Sequence, residues 1–125
     1  MSVKKILVVD DDAMITRFLK LVLEKTGRYQ IRTENKGAAA VSAAAEFLPE
    51  LIILDVNMPD MDGGVVASQL KAREDLRHIP VVFLTGNVSE EEADAQITIG
   101  ENSVLAKPIN LEKLVDCIER NLSTG

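Results

Sequence analysis

Three short runs, Ile6 to Val9, Leu51 to Leu54 and Val81 to Leu84, contain no polar residue at all. Apolar runs of this length, rich in β-branched side chains and lacking a solvent-facing alternation, mark strands buried on both faces. Burial on both faces is the situation of central strands in a parallel sheet, which needs helices above and below it. Two weaker strands accompany them: Tyr29 to Thr33, where apolar and polar residues alternate, and Val104 to Ala106. Both read as strands toward the edges, giving five in all.

Helical patterns fill the intervals. Met14, Phe18, Leu21 and Val22 recur at helix spacing and are expected to cover a sheet face, as are Leu111, Leu114, Val115, Ile118 and Leu122. Residues 38 to 48 are rich in alanine, which favours a helix that packs closely, and Pro49 stops it. Ser89 with Glu92 reads as a capping box opening a fourth helix, and Asn110 as the N-cap of the last. Gly27 and Gly100 are expected to close two helices. Strand and helix alternating in this way, joined by right-handed crossovers, predict an α/β doubly wound five-stranded parallel sheet with helices on both faces. With 125 residues and no repeat or linker composition, the chain reads as a single domain spanning 1–125.

Composition narrows the function. Apolar residues at 46% and charged residues at 27% support a buried core rather than disorder. The only aromatic residues are Phe18, Phe47, Phe83 and Tyr29, too few for base-stacking platforms, and a net charge of -6 repels polyanions, so nucleic acid is not an expected partner. A lone cysteine, Cys117, has no internal disulfide partner, which favours a reducing compartment, and cytoplasm is the expectation. The apolar stretch after Lys4 and Lys5 is too short for a signal-peptide core, and no run approaches the roughly 18 residues of a membrane span.

In open α/β sheets ligands bind beyond the carboxyl ends of the strands. There the chain places Asp10, Asp11 and Asp12 after the first strand, Asp55 after the third, Thr85 after the fourth and Lys107 after the fifth. Neighbouring carboxylates repel unless protons, a basic group or a metal offset them. Asp10, Asp11 and Asp55 with an ammonium at Lys107 leave a formal charge of about -2, which one Mg²⁺ cancels, and oxygen-only ligands suit that ion. One histidine and one cysteine make no zinc site. Several residues have plainer roles: Asp12 caps the first helix, His78 has no chemical part, Cys117 packs, and Glu90 to Glu92 complement a helix dipole.

Four motifs together resemble a known family. Ile6-Leu-Val-Val-Asp-Asp11, Leu54-Asp-Val-Asn-Met-Pro-Asp-Met-Asp-Gly63, Ile79-Pro-Val-Val-Phe-Leu-Thr-Gly86 and Lys107-Pro108 stand in the order and spacing of the receiver domain of two-component response regulators, of which the chemotaxis regulator is a single-domain example. The resemblance covers about residues 3 to 122 and implies the flavodoxin-like strand order 2-1-3-4-5. It also implies that Asp55 accepts a phosphoryl group from a histidine kinase or a histidine phosphotransfer protein. Asp11, Asp55 and the carbonyl of Asn57 would hold Mg²⁺ directly, with Asp10 acting through water. Lys107 would pair with Asp55 and then with phosphoryl oxygens, and Thr85 would donate to the phosphate. Backbone N–H groups of Asn57 and Gly86 are candidate donors as well, Gly86 leaves space beside the acceptor, and Gly63 is expected in a turn. A cis peptide is expected at Lys107-Pro108, directing the lysine, and Asn57 and Asn87 flank the site.

Such a module catalyses its own phosphorylation and dephosphorylation without being an enzyme toward other substrates, and it switches a surface read by a downstream protein or effector domain. The family places that surface on the fourth helix, fifth strand and last helix. Its switch often couples Thr movement to an aromatic residue three positions before the lysine; here that position is Val104, so no aromatic rotamer can report it. Two other readings compete. A pseudo-receiver would bind partners without phosphorylation, against which the complete set of acceptor, acid pair, Thr and Lys argues. A metal-dependent phosphohydrolase using the same Asp would carry an acid two residues after it, where this chain has Asn57.

Overall fold

A computed structural model describes residues 3–86, 98–99 and 102–123. In chain order it contains β1 (Lys4–Val9), α1 (Ala13–Lys25), β2 (Tyr29–Glu34), a 3-10 turn (Gly37–Ala39), α2 (Ala40–Phe47), β3 (Leu51–Asp55), α3 (Gly63–Lys71), β4 (Val81–Thr85), β5 (Thr98–Ile99), β6 (Asn102–Ala106) and α4 (Leu111–Ser123). One sheet runs β2-β1-β3-β4-β6-β5. Its first five strands are parallel in the expected 2-1-3-4-5 order, β6 being the fifth strand of the sequence reading. The two-residue β5 adds an antiparallel edge beside β6. Gly100, expected to close a helix, lies outside the described residues. The expected helix opening at Ser89, and with it Asn87 and Glu90 to Glu92, lies outside the described residues.

The apolar strands divide their side chains between two cores. Leu7, Val9, Ile52, Leu54, Val81, Phe83 and Val104 face α2 and α3, whose Ala40, Ala43, Ala44, Val66 and Leu70 let the helices lie close to the sheet. Ile6, Val8, Leu51, Ile53, Val82 and Leu84 face α1 and α4 through Leu19, Leu23, Leu114, Cys117 and Ile118. Each fully buried Leu or Ile contributes about 1.5–3 kcal/mol by leaving water. Val104, at the position expected to hold an aromatic in this fold, is 3% exposed and lies opposite Phe83 in the ladder.

Most of the expected buried face of α1 points outward. Met14, Phe18 and Leu21 are 80%, 48% and 68% exposed, Val22 alone of that stripe packs against the core, and Thr16, Leu19 and Leu23 are buried. The helix carries two apolar stripes, and periodicity cannot choose between them. The choice is made by its polar residues: Lys20 Nζ donates to the Ile31 carbonyl at 2.9 Å, and Glu24 Oε2 accepts from Ile31 N–H at 2.9 Å. These bonds fix the rotation of α1 and also occupy the backbone groups of an edge strand that would otherwise template pairing. The Ile31 N–H holds the Glu24 carboxyl below the usual range.

Helix ends follow local chemistry. Asp12 Oδ1 accepts from Met14 N–H at 2.9 Å and caps α1, and Asn110 Oδ1 accepts from Lys113 N–H at 3.1 Å at the start of α4. Gly27, at φ 77, closes α1. Leu48 ends α2 at φ 52, a left-handed conformation costly for a side chain with a Cβ. Among the described residues no helix is long and apolar enough to cross a membrane.

Candidate functional site

Parallel register brings the strand ends to one rim. Val9 lies opposite Leu54, Asp55 opposite Leu84, and Thr85 opposite Ala106, so the residues after each strand converge. Asp10, Asp55 and Thr85 are buried, at 0%, 2% and 4% exposure, while Asp11 is exposed. One carboxylate oxygen from each of Asp10, Asp11 and Asp55 lies within 4.8 Å of the others. Lys107 Nζ sits 2.9 Å from Asp10 Oδ2 and 3.3 Å from Asp55 Oδ1. The lysine therefore serves both acids rather than Asp55 alone. Its own backbone N–H donates to the Thr85 carbonyl at 2.9 Å, joining β4 to the loop after β6, and the Lys107-Pro108 peptide is cis.

Electrostatics follow from this crowding. Burial first, and the Asp10 charge second, push the Asp55 carboxyl up to about 6, Lys107 opposing both. Burial works against the Lys107 charge, but the hydrogen-bonding and coulombic pull of Asp10, joined by Asp55, outweighs it and raises that ammonium above its ordinary value. Two carboxylates share one cation, so their mutual repulsion is only partly relieved.

The donor set fits a hard dication. Asp10 Oδ2 is buried and faces the Lys107 ammonium at 2.9 Å, a single cation shared with Asp55. A buried acceptor with spare lone pairs beside two further carboxylates is what an oxygen-liganded Mg²⁺ requires. Asn57, exposed two residues beyond β3, borders the same rim.

Two glycines read differently in space. Gly63 opens α3 rather than forming a turn: its N–H donates to the Val56 carbonyl at 2.8 Å, and a Cβ there would lie 2.8 Å from Val56 Cα and collide with the Asp55 carbonyl. Glycine is needed because the helix start presses on the end of β3. Among the described residues, a Cβ at Gly86 would meet nothing within 4 Å.

Sequence reasoning passed over residues that support the rim. Asn35 follows β2 and donates to the Asp10 carbonyl at 2.9 Å and to Thr16 Oγ1 at 3.0 Å. Asp60 accepts from Gly37 N–H at 3.1 Å and Ala38 N–H at 3.0 Å, tying the loop after Asp55 to the turn before α2 and holding its own carboxyl below the usual range. The available signal was position: the carboxyl end of β2 belongs to the same rim as the other strand ends.

Comparison with known proteins agrees with this geometry. The family model for the response regulator receiver domain matches residues 6–119. The polar-differentiation response regulator DivK of Brucella anthropi is 29% identical over 119 residues, 95% of this chain and 96% of that protein. Chemotaxis protein CheY4 of Vibrio cholerae superposes with a TM-score of 0.83 at 31% identity, covering 97% of this chain and 100% of that one. The signal receiver domain of a signal transduction histidine kinase from Syntrophus aciditrophicus gives a TM-score of 0.81 at 36% identity, covering 97% and 91%. A match across nearly the whole chain, on a rim with the acidic cluster and lysine already described, places this protein among the response regulator receiver domains, the phosphoacceptor signalling modules of two-component systems.

Proposed function

We propose that Asp55 is the phosphoacceptor and that the rim around it is the phosphoryl-transfer site. The observation that carries this reading is the position of Asp55 at the end of the central strand β3, 2% exposed, 3.3 Å from the Lys107 ammonium and grouped with Asp10 and Asp11. Asp11, Asp55 and the Asn57 carbonyl would hold Mg²⁺, with Asp10 assisting. Bound there, the ion supplies positive charge for the equatorial phosphoryl oxygens.

The chain's own groups do the rest. An ionised Asp55 oxygen attacks phosphorus in line, the phosphorus–nitrogen bond of a phosphohistidine donor breaks, and the imidazole nitrogen keeps the electron pair. Lys107 turns from the two carboxylates toward the new phosphoryl oxygens, and the Thr85 hydroxyl donates to one of them. The aspartyl phosphate then shifts a pre-existing equilibrium between two surface arrangements. With Val104 buried and aliphatic, that shift is carried without an aromatic rotamer change.

The donor is a histidine kinase or a histidine phosphotransfer protein, and the reader is a downstream protein or effector domain. Residues 1–125 act as one receiver domain, in the cytoplasm. Incubation with a small acyl phosphate tests the acceptor: intact mass should show one added phosphoryl group with Mg²⁺, little in EDTA, and none in Asp55→Asn. Equal labelling of that variant overturns the assignment.

A further inference from the structure

We infer that Asn35 is a positioning residue that aims the Asp10–Asp11 acid pair; the inference rests on the proposed Mg²⁺ site. The connection from β1 to α1 is only Asp10, Asp11 and Asp12. The residues at the end of β2 grip both backbone polar groups of Asp10: the Glu34 carbonyl accepts from Asp10 N–H at 3.1 Å, and Asn35 Nδ2 donates to the Asp10 carbonyl at 2.9 Å. The second Asn35 amide hydrogen goes to Thr16 Oγ1 at 3.0 Å, and that buried hydroxyl donates onward to the Ala13 carbonyl at 3.2 Å. One side chain thus joins the ends of β1 and β2 to the first turn of α1.

The consequence reaches the carboxylates through the planar peptide. The Asp10 carbonyl and the Asp11 N–H share one plane, so anchoring the carbonyl fixes the direction in which the chain enters Asp11. Asp12 N–H meanwhile occupies Asp10 Oδ1 at 2.9 Å. Asp10 Oδ2 is left for the rim, where it meets the Lys107 ammonium at 2.9 Å. The task needs two donors on one atom and no added negative charge. An amide provides this; a carboxylate at position 35 would offer no donor and bring a further anion to the acid cluster.

The test titrates MgCl₂ alone into wild type, Asn35→Ala and Asn35→Asp by calorimetry, with urea unfolding in EDTA run in parallel. Outer-shell partners of metal ligands are typically worth 10–100-fold in affinity, so Asn35→Ala should weaken Mg²⁺ binding about tenfold or more, and Asn35→Asp at least as much. A Kd for folded Asn35→Ala within about twofold of wild type overturns the inference, even if its unfolding midpoint falls. Should Asn35→Ala not fold, Thr16→Val and Thr16→Ser take its place. A severalfold loss in the valine variant with near wild-type binding in the serine variant supports the network, and unchanged binding in both refutes it. Absence of Mg²⁺ binding by wild type itself would instead sink the site reading on which the inference stands.

Discussion

Replacing the proposed acceptor Asp55 by asparagine should stabilise the metal-free protein. The carboxyl is raised from 3.8 to about 6, chiefly by burial and by Asp10. Its contribution to stability is therefore full below its unfolded value and is lost as pH rises through about 6. A displacement of about 2 pH units corresponds to about 3 kcal/mol. Coulomb's law gives a similar figure: at 4.8 Å two like charges repel by about 3.5 kcal/mol at an effective dielectric of 20. Asparagine keeps the shape and an acceptor for Lys107 but carries no charge. In EDTA at pH 8, Asp55→Asn should gain about 1–3 kcal/mol in urea unfolding, and the gain should shrink toward zero near pH 4. Mg²⁺ should reverse the order, since a hundredfold excess over Kd adds about 2.7 kcal/mol to the protein that binds it. Loss of stability in the variant at pH 8 in EDTA, or an equal gap at both pH values, would refute the claim that the anionic cluster is strained without metal.

Other substitutions probe how the rim is built. Gly63→Ala forces a methyl against Val56 and the Asp55 carbonyl, and should cost about 1–3 kcal/mol in urea unfolding while slowing phosphoryl labelling; an unchanged midpoint would deny the close approach. Leu48→Gly removes the Cβ from a left-handed residue that is 58% exposed and should raise stability by about 1 kcal/mol, measured by thermal unfolding. Tyr29 is the single tyrosine, and burial together with its 2.8 Å hydrogen bond to Glu119 Oε2 pushes its hydroxyl up to about 12. Its ultraviolet titration should therefore show no tyrosinate near pH 10 in folded protein, and Glu119→Gln should bring the transition down.

Much of this architecture was legible because the central strands are apolar on both faces, a pattern few other folds produce. The rim was legible because Asp10, Asp11, Asp55, Thr85 and Lys107 each follow a strand, and parallel register does the gathering. The face of α1 was not legible. Met14, Phe18 and Leu21 form as good a stripe as the one buried, and the decision lies in side chain to backbone bonds from Lys20 and Glu24 to a strand whose position sequence does not give. Asn35 and Asp60 were missed for a related reason, since each bonds to main-chain groups 22 to 25 residues away. Gly63 was recognised as special but for the wrong cause, because close approach to another element leaves no local signature. The two-residue β5 has too few residues to show a period at all.

The phosphoryl group should go to the buried acid at the end of β3 and not to its neighbours. Borohydride reduction of the phosphorylated protein converts an aspartyl phosphate to homoserine, which peptide mass spectrometry locates. Homoserine is expected at position 55, with intact aspartates at 10 and 11. Homoserine at Asp10 or Asp11, with Asp55 unchanged, would contradict this assignment.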